Sequence, residues 1–417
     1  MEDCYLQTDR IFIYLKRNLQ QEDQLMKINT NRFQSSALNC AMDLCKRIRD
    51  YGHEAYIVGG SVRDMVRVEL GQTNVLDLHD VDIATNMPID ALKKNFRTES
   101  NNGEAHGTIL VFNIYGYPFE VTQFRTDGDY SDGRHPDTVA FTRDFKEDAA
   151  RRDFTINAMG MDGDGNVIDP FNGIKDIEDH VLRAVGEADK RFKEDSLRIL
   201  RGARFAVNFG YEIEPDTYKA MKDNAAMTKG LSNERIRKEI SAVKNKECGF
   251  QLFLNILSKT GITDVCPMFE WIDLHALHVA ALRAPSFGKT SVFVMMTMFS
   301  HQSDRQAELC LLTREEKRQL KWYKRFLAKR EDHLMSWIEM VQFVKGDWET
   351  FLSILDQREL PDWAMSIPEA LKLAKIEIDQ TAISDRLKSE GYEPGPVFGD
   401  ILRGEIEKIY RDAVNRM

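Results

Sequence analysis

The chain has 417 residues, with 57 Lys and Arg against 67 Asp and Glu, a formal net charge of −10. That length allows two to four domains with real cores, and 42% hydrophobic with 30% charged residues excludes wholesale disorder. With 25 Gly and 11 Pro the chain is neither collagen-like nor of low complexity.

The opening MEDCYLQTDR places acids where a signal peptide needs a basic and then an apolar run. The longest apolar stretch, Val292 to Phe299, is far too short to span a bilayer. A cytoplasmic protein with no membrane partner is therefore expected. Residues 1–36 are polar and mixed and read as an extension. A helical pattern (Leu38, Ala41, Met42, Leu44, Cys45, Ile48) runs to Tyr51 and closes at Gly52. A short strand, Ala55 to Val58, meets Gly59-Gly60 and turns into a second helix at Ser61. Val75 to Ala84 reads as a strand, and Thr108–Ile114 with Tyr117–Phe124 as a hairpin about Tyr115-Gly116. Val139–Thr142 is a further strand candidate. Beyond about residue 175 the strand signals stop and helical periodicity runs to the C-terminus. The predicted fold is an α+β head with a small mixed or antiparallel sheet, followed by an all-α neck, body and tail. The boundaries are an extension over 1–36, a head over 37–175, a neck over 176–245, and a body and tail over 246–417. The six cysteines (Cys4, Cys40, Cys45, Cys248, Cys266, Cys310) form no C-x-x-C pair and read as reduced packing thiols.

Four segments carry chemistry. In Ile57-Val58-Gly59-Gly60-Ser61-Val62-Arg63-Asp64 a Gly-Gly turn admits a ligand close to the backbone. The following helix points free N–H groups at it, and Arg63 adds a forked donor for phosphate. A tight turn with a surface Arg fits these residues equally well. In Asp80-Val81-Asp82 the strand period puts both carboxylates on one face, an oxygen pair suited to Mg²⁺. An acidic strand end in solvent has the same spacing. Glu120 on the neighbouring strand is either a third carboxylate or one half of a surface salt bridge. Arg151-Arg152-Asp153-Phe154-Thr155-Ile156-Asn157-Ala158 alternates polar with apolar positions, so one face packs while the other meets a site or solvent.

The fourth segment is Glu194-Asp195-Ser196-Leu197-Arg198-Ile199-Leu200-Arg201-Gly202-Ala203-Arg204. On a continuous helix Asp195, Arg198 and Arg201 fan over about 120°, with Arg204 opposite Asp195. They form either wet i, i+3 pairs or a base reader. An Asp acceptor beside an Arg donor matches the amino and ring-nitrogen edges of cytosine and adenine and clashes with those of uracil and guanine. Gly202 inside this helix costs about 1 kcal/mol relative to Ala and has no role legible from the sequence.

In this order, G-G-x-V-R-D, D-x-D-x-A-T, R-R-D-F-T-x-N-A, D-P-F-x-G and E-D-x-L-R-x-L-R resemble the class II nucleotidyltransferases, the family of tRNA CCA-adding enzymes and bacterial poly(A) polymerases. The resemblance covers roughly residues 37–245, with Ser232–Ile236 similar to its last motif. The resemblance implies Asp80 and Asp82 as ligands of a two-metal Mg²⁺ centre, beside which Glu120, read from the neighbouring strand, is the candidate further catalytic carboxylate. Gly60, Arg63 and Arg152 are implied at the nucleotide, where the Gly-Gly turn reading also puts Gly59, and Asp195, Arg198, Arg201 and Arg204 on the nucleotide-selecting helix. His106-Gly107-Thr108 and the tail from Gly391 through Leu402 resemble CCA-adding enzymes in particular, and the segment about Asp127–Asp137 resembles the loop they need for the terminal A. The Arg63-to-Asp80 gap is longer than the family pattern, which places an added loop over Val68–Leu78. The implied reaction is addition of CCA to the 3′ end of tRNA from CTP and ATP. A poly(A) polymerase or A-only enzyme shares most motifs, and an inactive RNA-binding homologue is the non-enzyme alternative. The basic run Leu311–Arg330, with eight Lys/Arg and two Glu, is the expected surface for the tRNA body.

Overall fold

The computed structural model describes residues 26–74, 81–100, 103–104, 107–128, 138–244, 248–283, 291–328 and 379–414. It divides into two compact units, Met1–Asn224 and Ala225–Met417. Helix α1 (Ser36–Asp50) starts where the Ser35 hydroxyl accepts the Leu38 N–H at 3.2 Å, and it buries Leu38, Ala41, Leu44, Cys45 and Ile48. Strand β1 (Ala55–Val58) then leads into α2 (Gly60–Glu69). There follow β2 (Asp82–Thr85), α3 (Ile89–Asn95), β3 (Arg97–Glu99), β4 (Thr108–Phe112), β5 (Pro118–Gln123), β6 (Arg125–Asp127), β7 (Val139–Phe141) and α4 (Phe145–Ala150). The unit closes with β8 (Gly160–Met161), β9 (Val167–Ile168), α5 (Gly173–Glu178), β10 (Val181–Leu182), α6 (Ala188–Glu194), α7 (Leu197–Phe209), β11 (Glu212–Ile213) and α8 (Pro215–Asp223).

Seven strands form one sheet in the order β3-β4-β5-β2-β1-β8-β9. Only β2 and β5 run parallel in it; the other neighbours are antiparallel. Ile57, Ile83, Ile109, Val111 and Val121 are fully buried on its covered face, which is why alternation along β4 and β5 is so clear. The β4–β5 hairpin turns over residues 113–117, where the Asn113 side chain accepts the N–H groups of Tyr115 (3.0 Å) and Tyr117 (2.9 Å).

Several expectations change. The expected strand over Val75–Ala84 is observed from Asp82; Val75–Asp80 lie outside the described residues. Val68 and Glu69, placed in an added loop, finish α2 instead. The last residues of the expected extension pack on the sheet: Lys27 bridges to Asn166, and Ile28 is 2% exposed. Strand structure also continues past residue 175, because β10 and β11 form a parallel pair. Two-residue strands carry no periodicity for a sequence to display.

The second unit is helical: α9 (Asn233–Ser241), α10 (Gly249–Lys259), α11 (Leu274–Arg283), α12 (Val292–Met298), α13 (Ser303–Leu309), α14 (Arg314–Ala328), α15 (Gln380–Ser389) and α16 (Pro396–Val414). Among the described residues no helix is long and apolar enough to cross a membrane.

Candidate active site

The site grows from the β1–α2 turn. Gly59 has φ +77°, a conformation that disfavours any side chain. A Cβ on Gly59 would stand 3.8 Å from Nη1 of Arg152, and one on Gly60 would stand 3.3 Å from Nη2 of Arg63. The bare backbone of both glycines is thus flanked by guanidinium groups. Val58 pairs directly with Asp82, so the first residue of β2 lies beside this turn. Asp82 is exposed. Ile83 faces Val121 in the parallel β2–β5 pair, and continuing that register one residue sets Asp82 opposite Glu120, which is also exposed. The two carboxylates therefore share the open part of the face opposite Ile57 and Ile83; nearer β1 that face is covered, with Val58 and Ala84 buried against Phe124 and Phe145.

Oxygen donors of this kind are those Mg²⁺ takes. Among the described residues no three His, Cys, Asp or Glu side chains gather tightly enough to hold a metal ion, and Asp80 lies outside them, as does His106.

Arg63 is heavily committed. Its Nε and Nη2 donate to the two oxygens of Asp64, each at 2.9 Å, and its Nη1 donates to Asn157 Oδ1 at 2.8 Å. The guanidinium lies 4.6 Å from the Phe209 ring centre and 5.5 Å from that of Phe205. Asn157 passes the connection on, donating from Nδ2 to Asp153 Oδ1 at 3.0 Å. Asp153 in turn accepts from Nε (2.8 Å) and Nη2 (2.6 Å) of Arg201. Burial would raise the Asp153 carboxyl, but Arg201, Asn157 and the Phe154 N–H outweigh it and hold the group at about 2. Neither Asp64, the residue next to Arg63, nor Asp153, whose contact with Arg201 spans 48 residues that no local spacing reveals, receives a role from the sequence.

Arg152 sits deeper. Burial pulls its pKa down, and Asp148, whose Oδ2 accepts from Arg152 Nη2 at 3.2 Å, works against that pull. Its Nε is buried and makes no hydrogen bond, while Nη1, the atom nearest a Cβ on Gly59, is the donor beside the glycine turn. Asp148 is fully buried and also accepts from Arg151 and from the Arg125 N–H. Its i−4 spacing from Arg152 is the signal that could have found it.

The continuous helix expected from Glu194 is broken. Asp195 is extended (φ −147°, ψ 103°) between α6 and α7, and its carboxylate accepts the Leu197 N–H at 3.0 Å. It caps α7 instead of riding on its face, a common use of Asp at a helix start. Arg198 is buried: Nη1 donates to Glu194 (2.8 Å) and to the Arg191 carbonyl (3.0 Å), and Nη2 to the Arg151 carbonyl (2.9 Å). Arg201 reaches Asp153, while Arg204 lies 4.2 Å from the centre of the Phe205 ring. Gly202 finds its reason here, because a Cβ would stand 3.1 Å from Cζ of the fully buried Phe154. The glycine lets the R-R-D-F-T segment press against α7.

In the second unit, Arg237 of α9, the residue after Ser232–Ile236, donates to both oxygens of Glu316 at 2.8 Å and lies 3.9 Å from the Phe293 ring centre. Burial raises the Glu316 carboxyl, but Ser291, the Thr313 N–H and Arg237 bring it below its usual range. This contact seats α14, whose Leu320 and Tyr323 are buried while Lys317, Arg318, Lys321 and Lys324 are exposed. Arg318 pairs with Glu315, and Lys324 with Asp304 at 3.2 Å. The Arg325 and Leu327 side chains lie outside the described residues, as does most of the loop over Asp127–Asp137.

Residues 55–183 match the family model described as "Poly A polymerase head domain", and residues 210–243 match "Probable RNA and SrmB- binding site of polymerase A". A CCA-adding enzyme of Lactobacillus johnsonii is 41% identical over 248 residues, covering 59% of this chain and 58% of that protein; the chain thus spans little more than half of that relative. A CCA-adding enzyme of Streptococcus pneumoniae is 33% identical over 398 residues, covering 88% of this chain and 91% of the relative. The crystal structure of Bacillus stearothermophilus CCA-adding enzyme in complex with CTP superposes with a TM-score of 0.63 at 26% identity, covering 92% of this chain and 94% of that one.

Proposed function

We propose that this chain, which belongs to the CCA-adding enzyme family, adds C, C and A to the 3′ end of tRNA from CTP and ATP. The reaction needs no template and no covalent enzyme intermediate, and it takes place in the cytoplasm. The observation that carries the reading is the pairing of Val58 with Asp82, which brings an exposed carboxylate to the Gly59-Gly60 turn and its flanking guanidiniums.

Gly59 and Gly60 admit the triphosphate to the backbone at the α2 N-terminus, and Arg152 offers it charge and a spare donor. Arg63 braces this wall through Asp64 and Asn157. Asp82, with Asp80, would hold Mg²⁺, and Glu120 is the third carboxylate. Held there, Mg²⁺ would supply Lewis-acid activation for the attacking 3′-hydroxyl and charge neutralisation for the departing pyrophosphate. Asp195 accepts the amino group of cytosine or adenine. Arg198 meets the ring nitrogen with the N–H groups that Glu194, Arg191 and Arg151 leave over, and Arg201 and Arg204 line the same side of α7. The exposed cations of α14 hold the tRNA body by its phosphates, without reading sequence.

The test offers tRNA lacking its terminal CCA with each nucleoside triphosphate singly, with Mg²⁺ and after chelation. CTP alone should be incorporated, UTP and GTP should not, and chelation or Asp82→Ala should abolish the reaction with the far-UV spectrum unchanged. Asp82→Ala activity within about tenfold of wild type would remove the metal assignment, since loss of a metal ligand should cost several orders of magnitude.

A further inference from the structure

The strand register divides the ground on either side of Asp82. On one side stands β1 with the Gly59-Gly60 turn. On the other stand β5, β4 and the edge strand β3. Nucleotidyl transfer runs roughly in line, with attacking and leaving oxygens on opposite sides of the phosphorus. If pyrophosphate leaves toward the glycines, the attacking strand approaches over β5 and β4.

That surface has a particular chemistry. Leu110 faces Glu120, Phe112 faces Pro118, and Arg97 faces Phe112, so all of them lie on the open face that carries Asp82 and Glu120. Leu110 and Phe112 are only half-buried. The Arg97 guanidinium lies 4.6 Å from the centre of the Phe112 ring, and its side chain is 73% exposed. Its neighbour Glu99 stands 3.9 Å away. One step further toward the hairpin tip, Ile114, Tyr115 and Tyr117 are 60%, 73% and 43% exposed. Single exposed apolar residues need no explanation. Here an arginine layered on an aromatic ring adjoins a turn that displays two tyrosines, next to the carboxylates.

We propose that this face, centred on Arg97, Phe112 and Tyr115, is a stacking platform for the unpaired 3′ end of the acceptor RNA. Unstacked bases take up guanidinium and aromatic planes without regard to base identity. Such a platform suits an end whose last base changes with each addition. The inference rests on the nucleotidyl-transfer reading, because that reading decides which side of Asp82 the acceptor occupies.

A binding measurement separates the two. Fluorescence anisotropy on the full chain would compare an acceptor-stem minihelix bearing an unpaired 3′ CC with the same duplex trimmed blunt. The wild type should bind the overhang about tenfold or more tightly, the scale of one to two stacked bases. Arg97→Ala/Tyr115→Ala should lose most of that advantage, bind the blunt duplex as before and keep the wild-type melting temperature. Tyr115→Phe in place of Tyr115→Ala should restore part of it. A double variant that keeps the full overhang advantage, or that loses affinity for both duplexes equally, overturns the platform. A wild type that binds the overhang as expected but transfers no nucleotide to it would leave the platform standing and overturn the catalytic reading.

Discussion

Replacing Asp153 by Asn tests the buried network that joins the α2 arginine to the α7 arginine. The carboxyl is held at about 2 against an ordinary 3.8, and at 1.36 kcal/mol per pH unit this is a contribution of about 2 kcal/mol. Because the folded-state value is depressed, the contribution is complete above about pH 4 and fades as pH falls toward 2. Asp153→Asn keeps the shape and one acceptor, so it should cost about that amount at pH 7. Asp153→Ala, which also strands the Asn157 amide, should cost about 1 kcal/mol more. Urea unfolding should be followed by far-UV circular dichroism, because all five tryptophans lie in the second unit and their fluorescence does not report on the head. The gap between wild type and Asp153→Asn should be the same at pH 7 and pH 5. Equal stabilities at pH 7, or a gap that closes by pH 6, would refute the assignment of a charged, paired Asp153.

Asp195→Ala removes the acceptor for an amino group, worth about 1–3 kcal/mol of discrimination, so UTP and GTP incorporation should rise relative to CTP and ATP; an equal loss for all four would leave Asp195 only its role as the cap of α7. Gly202→Ala should destabilise the head by about 1 kcal/mol in the same urea assay, because the clash with Phe154 (about 1–3 kcal/mol) outweighs the gain in helix propensity of about 1; a more stable variant would show that the ring yields. Changing Lys317, Lys321 and Lys324 together to Ala should raise KM for tRNA and flatten its salt dependence with KM for CTP unchanged; tRNA kinetics that stay wild-type across salt concentrations would move the tRNA surface elsewhere.

Local rules carried the sequence reading a long way. A four-residue apolar strand, two glycines and a helix pattern predict the β1–α2 turn, and the turn is there, its positive φ supplied by Gly59. Alternation predicts the β4–β5 hairpin because one face is covered and the other open. Helical angles failed at Asp195, since they presume a continuous helix, and the chain breaks to let that carboxylate cap α7. Contacts made across the chain were illegible by their nature. Nothing near Arg201 announces Asp153, and nothing near Gly202 announces Phe154. The sequence places Arg63 at phosphate from its position one turn into α2, and could not show that Asp64, Asn157 and two rings also engage its side chain.

The most direct measurement of the central claim is product length on tRNA ending in CC, given ATP alone with Mg²⁺ and resolved to single nucleotides. An enzyme that completes CCA adds one A and stops, and the same preparation given tRNA without CCA and both nucleotides yields products three residues longer. A ladder of many adenosines on the CC-ended tRNA, or no extension of either substrate, would contradict the account.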